Sequence, residues 1–175
     1  MTLEKLVRAL AADARYGPRA AVPGDVLAAL RLPDGRVLPE SLAVWLAFDN
    51  RYPSLLSVLR GDQPIVELRS EGGGADRILA VPAARAFTSA YVDDVRDEVD
   101  DDVVEYLRER VVELVDQFPG HVVRLNPRDM PDRFVWFGAP EEPLVLVRSS
   151  DELDVEATFT DFALAAYEDL ASDAP

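Results

Sequence analysis

The residues of this sequence that could carry out catalytic chemistry are few. His121 is the only histidine and cysteine is absent, which excludes two-histidine catalysis, zinc–thiolate sites, iron–sulfur clusters and thiol chemistry. Ser149, Ser150 and Asp151 are adjacent, but they lack the glycine-flanked elbow of a hydrolase serine. We interpret these three residues as a turn after a strand, and His121 as a structural or surface residue that opens a strand. No catalytic residue and no cofactor site is predicted.

Carboxylates are the most concentrated reactive groups. Seven acidic residues fall within the ten from Asp93 to Asp102. They lack the alternate spacing, the central glycine and the closing glutamate of an EF-hand loop, so no metal site is predicted there. We predict a solvated or partner-facing acidic patch, followed by a helix whose positive end favours the carboxylates. Carboxyl pairs such as Glu141 and Glu142 are too common in this chain to indicate a glycosidase.

The glycines at 72–74 and the aromatic residues are the remaining candidates. A phosphate loop requires a helix and a Lys with Ser or Thr after its glycines. Here the glycines lie between two apolar segments, residues 65–68 and 78–81, so they predict the turn of a β-hairpin. Aromatic side chains at Trp45, Trp136, Phe134 and Phe137 could line a ligand site, but such residues more often belong to the core.

Charge narrows the possible partners. The chain has 33 acidic and 18 basic residues, a formal net charge of −15. This charge repels nucleic acid and anionic lipid and attracts basic proteins, although it is also what solubility alone would favour. No apolar run approaches the roughly 20 residues that cross a bilayer. The amino terminus lacks the apolar segment of a secretion signal, so we expect a cytoplasmic protein.

Apolar spacing predicts the elements that position these residues. Thr2 caps a first helix with Leu3, Leu6, Val7 and Leu10 on one face. A short helix over Asp25–Leu30 precedes a turn at Pro33–Gly35. The segment from Leu38 to Leu46 is predicted to be a helix, and its buried stripe is Leu42, Trp45 and Leu46.

The second half is predicted to combine a long helix with a small sheet. Residues 83–118 are mostly helical, with Asp102 and Glu105 in a capping box. The apolar stripe of this helix is Val103, Val104, Leu107, Val111, Leu114, Val115 and Phe118. Strands at His121–Leu125, Arg133–Phe137 and Pro143–Val147 follow, and Thr158 or Thr160 caps a last helix.

This element order predicts an α+β fold. We expect a small, mostly antiparallel sheet of four to six strands with helices packed around it, a helical amino terminus, a long acidic middle helix and a carboxyl-terminal helix. The 175 residues are enough for one domain, with a core over about residues 2–171 and a frayed tail at 172–175.

Two stretches give the chain a family resemblance. The segment Leu38-Pro39-Glu40-Ser41-Leu42-Ala43-Val44-Trp45-Leu46 resembles the early helix of the SUKH superfamily, which begins with Pro and ends in an aromatic–leucine pair. The segment Ala157-Thr158-Phe159-Thr160-Asp161-Phe162-Ala163-Leu164 resembles that superfamily's final helix. The superfamily includes the yeast Smi/Knr cell-wall regulators and many bacterial toxin-immunity proteins.

The resemblance implies a non-catalytic bacterial immunity protein that neutralises a cognate toxin by binding it. A basic toxin would meet an acidic surface, for which the candidate contacts are Asp93, Asp94, Asp97, Glu98, Asp100, Asp101, Glu141 and Glu142. Two alternatives remain open, with the chain as monomer or homodimer. One is an acidic adaptor or secretion-chaperone-like protein with an exposed apolar groove or β-edge. The other is a small-ligand or enzymatic domain with a deep pocket.

Overall fold

A computed structural model describes residues 1–16, 20–53, 64–69, 74–125 and 132–168. The chain divides into two compact units, one formed by Met1–Leu79 with Ala157–Pro175 and one by Ala80–Glu156. Helices and two antiparallel sheets confirm the predicted α+β class. The single domain stays a prediction, and the frayed tail at 172–175 lies outside the described residues.

The first unit is mainly helical. Its elements are α1 (Leu3–Ala12), a 3₁₀ turn (Ala14–Tyr16), α2 (Gly24–Ala29), α3 (Glu40–Leu46), β1 (Val66–Glu67), β2 (Arg77–Ile78) and α6 (Phe159–Ala166). Thr2 caps α1 as predicted, because its Oγ1 accepts a hydrogen bond from the Lys5 backbone nitrogen at 3.5 Å. Thr158 caps α6 in the same way, through the Asp161 nitrogen at 3.1 Å. These caps satisfy backbone donors that a helix start leaves unpaired.

The core of this unit centres on α3. Leu42, Trp45 and Leu46 are fully buried, which confirms the predicted stripe. Asn50, just after α3, is also buried, and its side-chain amide mimics a strand partner. Its Oδ1 accepts from the Val66 nitrogen at 2.7 Å, and its Nδ2 donates to the Val66 carbonyl at 2.8 Å. Asn50 therefore ties the end of α3 to β1.

The second unit packs helices on a sheet. It contains β3 (Val81–Pro82), α4 (Ala83–Thr88), a π-helical turn (Ser89–Asp93), α5 (Asp101–Gln117), β4 (His121–Leu125), β5 (Arg133–Trp136), β6 (Leu144–Ser149) and β7 (Glu152–Thr158). The strand order is β3-β4-β5-β6-β7. Successive side chains of a strand point to opposite faces of the sheet. Val122, Phe134 and Leu146 lie on one face and pack in a core with Phe87 of α4 and Leu114 of α5.

Several sequence predictions need correction. Val81 belongs to β3 and pairs with Val122, whereas the hairpin is made by Val66 and Ile78. The start of its predicted turn, residues 71–73, lies outside the described residues. The capping box is wrong, because α5 begins at Asp101 with Asp100 as its N-cap, two residues before the N-cap that the box requires.

Two further differences concern exposure and an additional strand. Val103 was predicted in the apolar stripe of α5 but is 41% exposed, because it lies in the first turn at the edge of the buried face formed by Val104, Leu107, Val111 and Leu114. Strand β7 was not predicted, although its residues alternate between polar and apolar types as those of a strand do. In the part of the chain that the structure describes, no helix is long and apolar enough to span a membrane.

Candidate protein-binding surface

The predicted acidic residues before α5 and in its first turn form a defined surface, which we call the acidic ridge (residues 93–102). Every carboxylate of the ridge is exposed. Among the described residues, only Asp94 of this group forms an ion pair, with Arg124 at 2.7 Å. Asp101 and Asp102 lie in the first turn of α5, where the helix dipole stabilises negative charge. The ridge therefore presents carboxylates that are available to an incoming cation.

The backbone of the acidic ridge is anchored from beneath. Val95 and Val99 pack against the core of the second unit while the acids between them face outward. The Asp94 nitrogen donates to the Ser89 carbonyl at 3.0 Å, and the Glu98 nitrogen donates to the Val95 carbonyl at 2.9 Å. Two apolar anchors and these bonds give the charged groups a fixed backbone, which lowers the entropy lost when a partner binds.

A buried ion network lies next to this anchor. Asp132 is 2% exposed and accepts hydrogen bonds from the guanidinium of Arg124 at 2.9 and 3.0 Å. Arg148 approaches the same carboxylate at 3.5 Å. Arg124 thus joins Asp132 to Asp94 of the ridge, so that the exposed surface is connected to the sheet by charge-assisted bonds.

The π-helical turn completes this network. Arg148 donates to the Ala90 carbonyl at 2.6 Å and lies over the Tyr91 ring, 4.3 Å from its centroid. The Tyr91 hydroxyl donates to the Glu152 carbonyl at 2.7 Å, and burial raises the pKa of Tyr91. π-helical turns are uncommon and often lie at functional sites. Here the turn directs the Ala90 carbonyl toward Arg148, beneath the ridge.

Glu141 and Glu142 lie elsewhere. They are in the connection between β5 and β6, at the end of β5 marked by Trp136. Asp94 contacts the sheet at the opposite end, where Arg124 pairs with Phe134. The structure therefore groups Asp93, Asp94, Asp97, Glu98, Asp100 and Asp101 and separates the other two predicted contact residues from them. A role in binding stays a prediction for all eight.

A second acidic surface was missed by sequence reasoning. Tyr106, Glu109, Arg110, Glu113, Asp151 and Glu152 line a hollow of about 250 Å³ between α5 and the β6–β7 turn. The Tyr106 hydroxyl donates to the Asp151 carboxylate. This bond raises the pKa of Tyr106 and lowers that of Asp151. The acids are far apart in sequence, and only the position of β7 brings them together.

An apolar groove runs between α4 and α5. Its volume is about 450 Å³, and Ala84, Thr88, Val92, Arg108, Val111, Val112, Val115 and Asp116 line it. Val112, one of these lining residues, is 63% exposed, so the groove carries uncovered apolar surface. Such a groove is the feature that the adaptor hypothesis predicts.

The residues considered for catalysis or ligand binding lie in a turn or in the packed core. Ser150 has φ of 56° and lies in the β6–β7 turn, as predicted for this segment. Trp45, Phe134 and Phe137 are core residues, which confirms their interpretation. Half-buried Trp136 donates from Nε1 to the Pro119 carbonyl at 2.7 Å. Within the described residues, no group of three or more His, Asp or Glu could hold a metal ion.

Searches with this chain against protein-family models, curated proteins and solved structures found no match.

Proposed function

We propose that this chain is a non-catalytic binding protein that neutralises a basic toxin by covering its cationic surface with the acidic ridge. The observation that carries the proposal is the ridge itself, where seven acids occur in ten residues and only Asp94 is paired among the described residues. Many proteins that attack nucleic acid need a basic surface to bind phosphate. An acidic partner that occupies this surface prevents substrate binding without any chemistry.

Two properties of the ridge support rapid and tight association. Its exposed carboxylates lie together on a chain of net charge −15, which steers a basic partner at low ionic strength. Its backbone is anchored by Val95 and Val99, so little order has to be gained on binding. The contacts expected to matter most are Glu98 and Asp101, with Asp93, Asp97 and Asp100 beside them.

The first experiment is capture of partners from the native organism with the tagged full chain, at low salt and again at high salt. We expect one stoichiometric basic protein that is lost at high salt and whose activity this chain inhibits. Recovery of a salt-insensitive apolar client would contradict the proposal and would favour the adaptor function.

A matched pair of charge variants then locates the interface. Asp97→Lys with Glu98→Lys changes the ridge, and Asp25→Lys with Glu40→Lys makes the same change of net charge at exposed positions of the first unit. We expect the ridge variant to slow association with the captured protein at least tenfold at low salt and to flatten its salt dependence. Equal effects of the two variants would mean that net charge, not the ridge, attracts the partner.

The adaptor function is a second candidate because of the groove between α4 and α5. An amphipathic helix of a client could place its apolar side chains beside Val111, Val112 and Val115. Val112→Glu tests this candidate, since it should abolish client binding while leaving the acidic ridge unchanged.

A further inference from the structure

The five-stranded sheet has two edges of very different character. One edge is β3, which has two residues and ends in Pro82, a residue without a backbone N–H. The other is β7, whose seven residues, Glu152–Thr158, make it the longest strand in the described part of the chain. Proline and short length protect an edge from strand addition. Only the β7 edge is long enough to pair with another extended segment.

The backbone of β7 has groups available for such pairing. Ser150 and Asp151 form a two-residue turn between β6 and β7, so the flanking residues Ser149 and Glu152 make the hydrogen-bonded pair. Along an antiparallel strand, the backbone groups of alternate residues point toward the neighbouring strand and away from it. The N–H and C=O groups of Leu153 and Val155 therefore point away from β6. β7 is the last strand of the sheet, and within the described residues these groups form no hydrogen bond with a turn, loop or helix cap.

The side chains of β7 alternate between charged and apolar. Asp154 and Glu156 lie on one face, and Leu153 and Val155 on the other. Glu156 is held by Arg133 at 2.6 Å, whereas Asp154 has no cationic partner in the part of the chain that the structure describes. Val155 is 51% exposed although its strand neighbour Leu153 is in the core. The edge thus offers a free carboxylate and an uncovered apolar side chain at adjacent positions.

These charges decide which partner fits. If two copies of β7 paired in antiparallel fashion around Asp154 or Val155, acids would face acids on the same face of the sheet. Like charges directly opposite one another destabilise a strand pair. A strand with Lys or Arg opposite Asp154 and an apolar residue beside Val155 would have the complementary pattern.

We propose that the β7 edge binds an extended basic segment of the partner protein as a sixth strand. Backbone hydrogen bonds from Leu153 and Val155 supply affinity, and the alternation of cationic and apolar side chains supplies selectivity. The inference rests on the proposed function for the positive charge of the partner, but it assigns a contact surface distinct from the acidic ridge.

The test uses two synthetic peptides of alternating lysine and valine, each seven residues long. They carry the same charge, but one is N-methylated at alternate residues and cannot complete a strand ladder. We expect the unmethylated peptide to bind the full chain at least tenfold more tightly at an ionic strength of about 0.15 M. Hydrogen exchange should show new protection of the Val155 amide when this peptide is added. Equal affinity of the two peptides would overturn the proposal.

Two variants distinguish binding at the β7 edge from binding at the acidic ridge. Val155→Pro removes an outward N–H, and edge strands tolerate proline at such positions. Asp154→Lys reverses the free charge and keeps the backbone intact, so it remains informative if the proline variant does not fold. Both substitutions should weaken the binding of the unmethylated peptide at least tenfold. One outcome is that the captured protein binds both edge variants as tightly as the unaltered chain and yet fails to bind the ridge variant. In that case the edge inference fails and the proposed function stands.

Discussion

The indole ring of Trp136 occupies the space in which a side chain on Gly138 would begin. A Cβ atom added to Gly138 would lie 2.1 Å from Cζ2 of Trp136. The ring is held in this position by its hydrogen bond to the Pro119 carbonyl at 2.7 Å and by an edge-to-face contact with Phe118, with ring centroids 5.4 Å apart. The end of α5 is thereby fastened to the end of β5, and this packing requires a glycine at position 138.

Gly138→Ala should therefore destabilise the protein. The new methyl group must displace the indole from Pro119 and Phe118, and overpacking of this kind costs about 1–3 kcal/mol of unfolding free energy. Urea denaturation followed by tryptophan fluorescence measures the loss. Gly24→Ala is the control, because a Cβ atom there meets nothing within 4 Å. Similar losses in both variants would show that the indole can move at little cost.

Removal of Asp132 should have a larger effect than removal of Asp94, although both carboxylates bind Arg124. Asp132→Ala leaves the largely buried Arg124 and Arg148 without their shared anion, which typically costs about 3–5 kcal/mol. Asp94 is half-exposed, so Asp94→Ala should cost less than about 1 kcal/mol. Chemical denaturation of the two variants compares them directly. A larger loss in Asp94→Ala would contradict the view that the buried pair anchors the ridge.

Asn50→Ala should destabilise the first unit. The substitution leaves the buried N–H and C=O of Val66 without partners, and each such group costs about 1–3 kcal/mol. We expect an unfolding free energy lower by at least about 2 kcal/mol. Asp76→Ala removes a comparable side-chain-to-backbone bond, to the Arg69 nitrogen at 2.6 Å, at an exposed position. Its cost should stay below about 1 kcal/mol, because water replaces the lost partner.

The Tyr106–Asp151 bond should be visible in an acid titration. Because the tyrosine hydroxyl donates to the carboxylate, the pKa of Asp151 lies below its ordinary value of 3.8. The stabilisation that this bond contributes is therefore present above pH 3.8 and is lost as the pH falls through the lowered pKa. In Tyr106→Phe, carbon-13 NMR should show the Asp151 midpoint moving up toward 3.8. An unchanged midpoint would show that the bond does not form in solution.

Local patterns in the sequence were sufficient to predict much of the fold. The cap at Thr2, the buried face of α3 and the strands from His121 to Val147 follow from spacing and capping rules that act within a few residues. The start of α5 did not follow, since Asp100, Asp101 and Asp102 are all acceptable N-cap residues and only the packing of Val104 and Leu107 selects among them. The N-cap in the structure, Asp100, precedes the predicted one, Asp102, by two residues.

The candidate surfaces were predicted less completely, for a different reason. The acidic ridge is contiguous in the sequence, so its composition alone indicated it. The network of Arg124, Asp132 and Arg148 depends on which strands are neighbours, and no pattern along the chain encodes that register. Strand β7, by contrast, was predictable, because Glu152–Thr158 alternate between polar and apolar residues, the pattern typical of a strand with one apolar face.

The inequality between the two sheet edges also limits how the protein can assemble. With β3 short and ended by Pro82, strand addition to the five-stranded sheet can take place at β7 alone. A segment bound there would leave no second edge of this sheet, as far as the described residues form it, from which a further molecule could continue it. The expected product is a closed one-to-one complex whose composition does not change as concentration rises, and not a growing fibre.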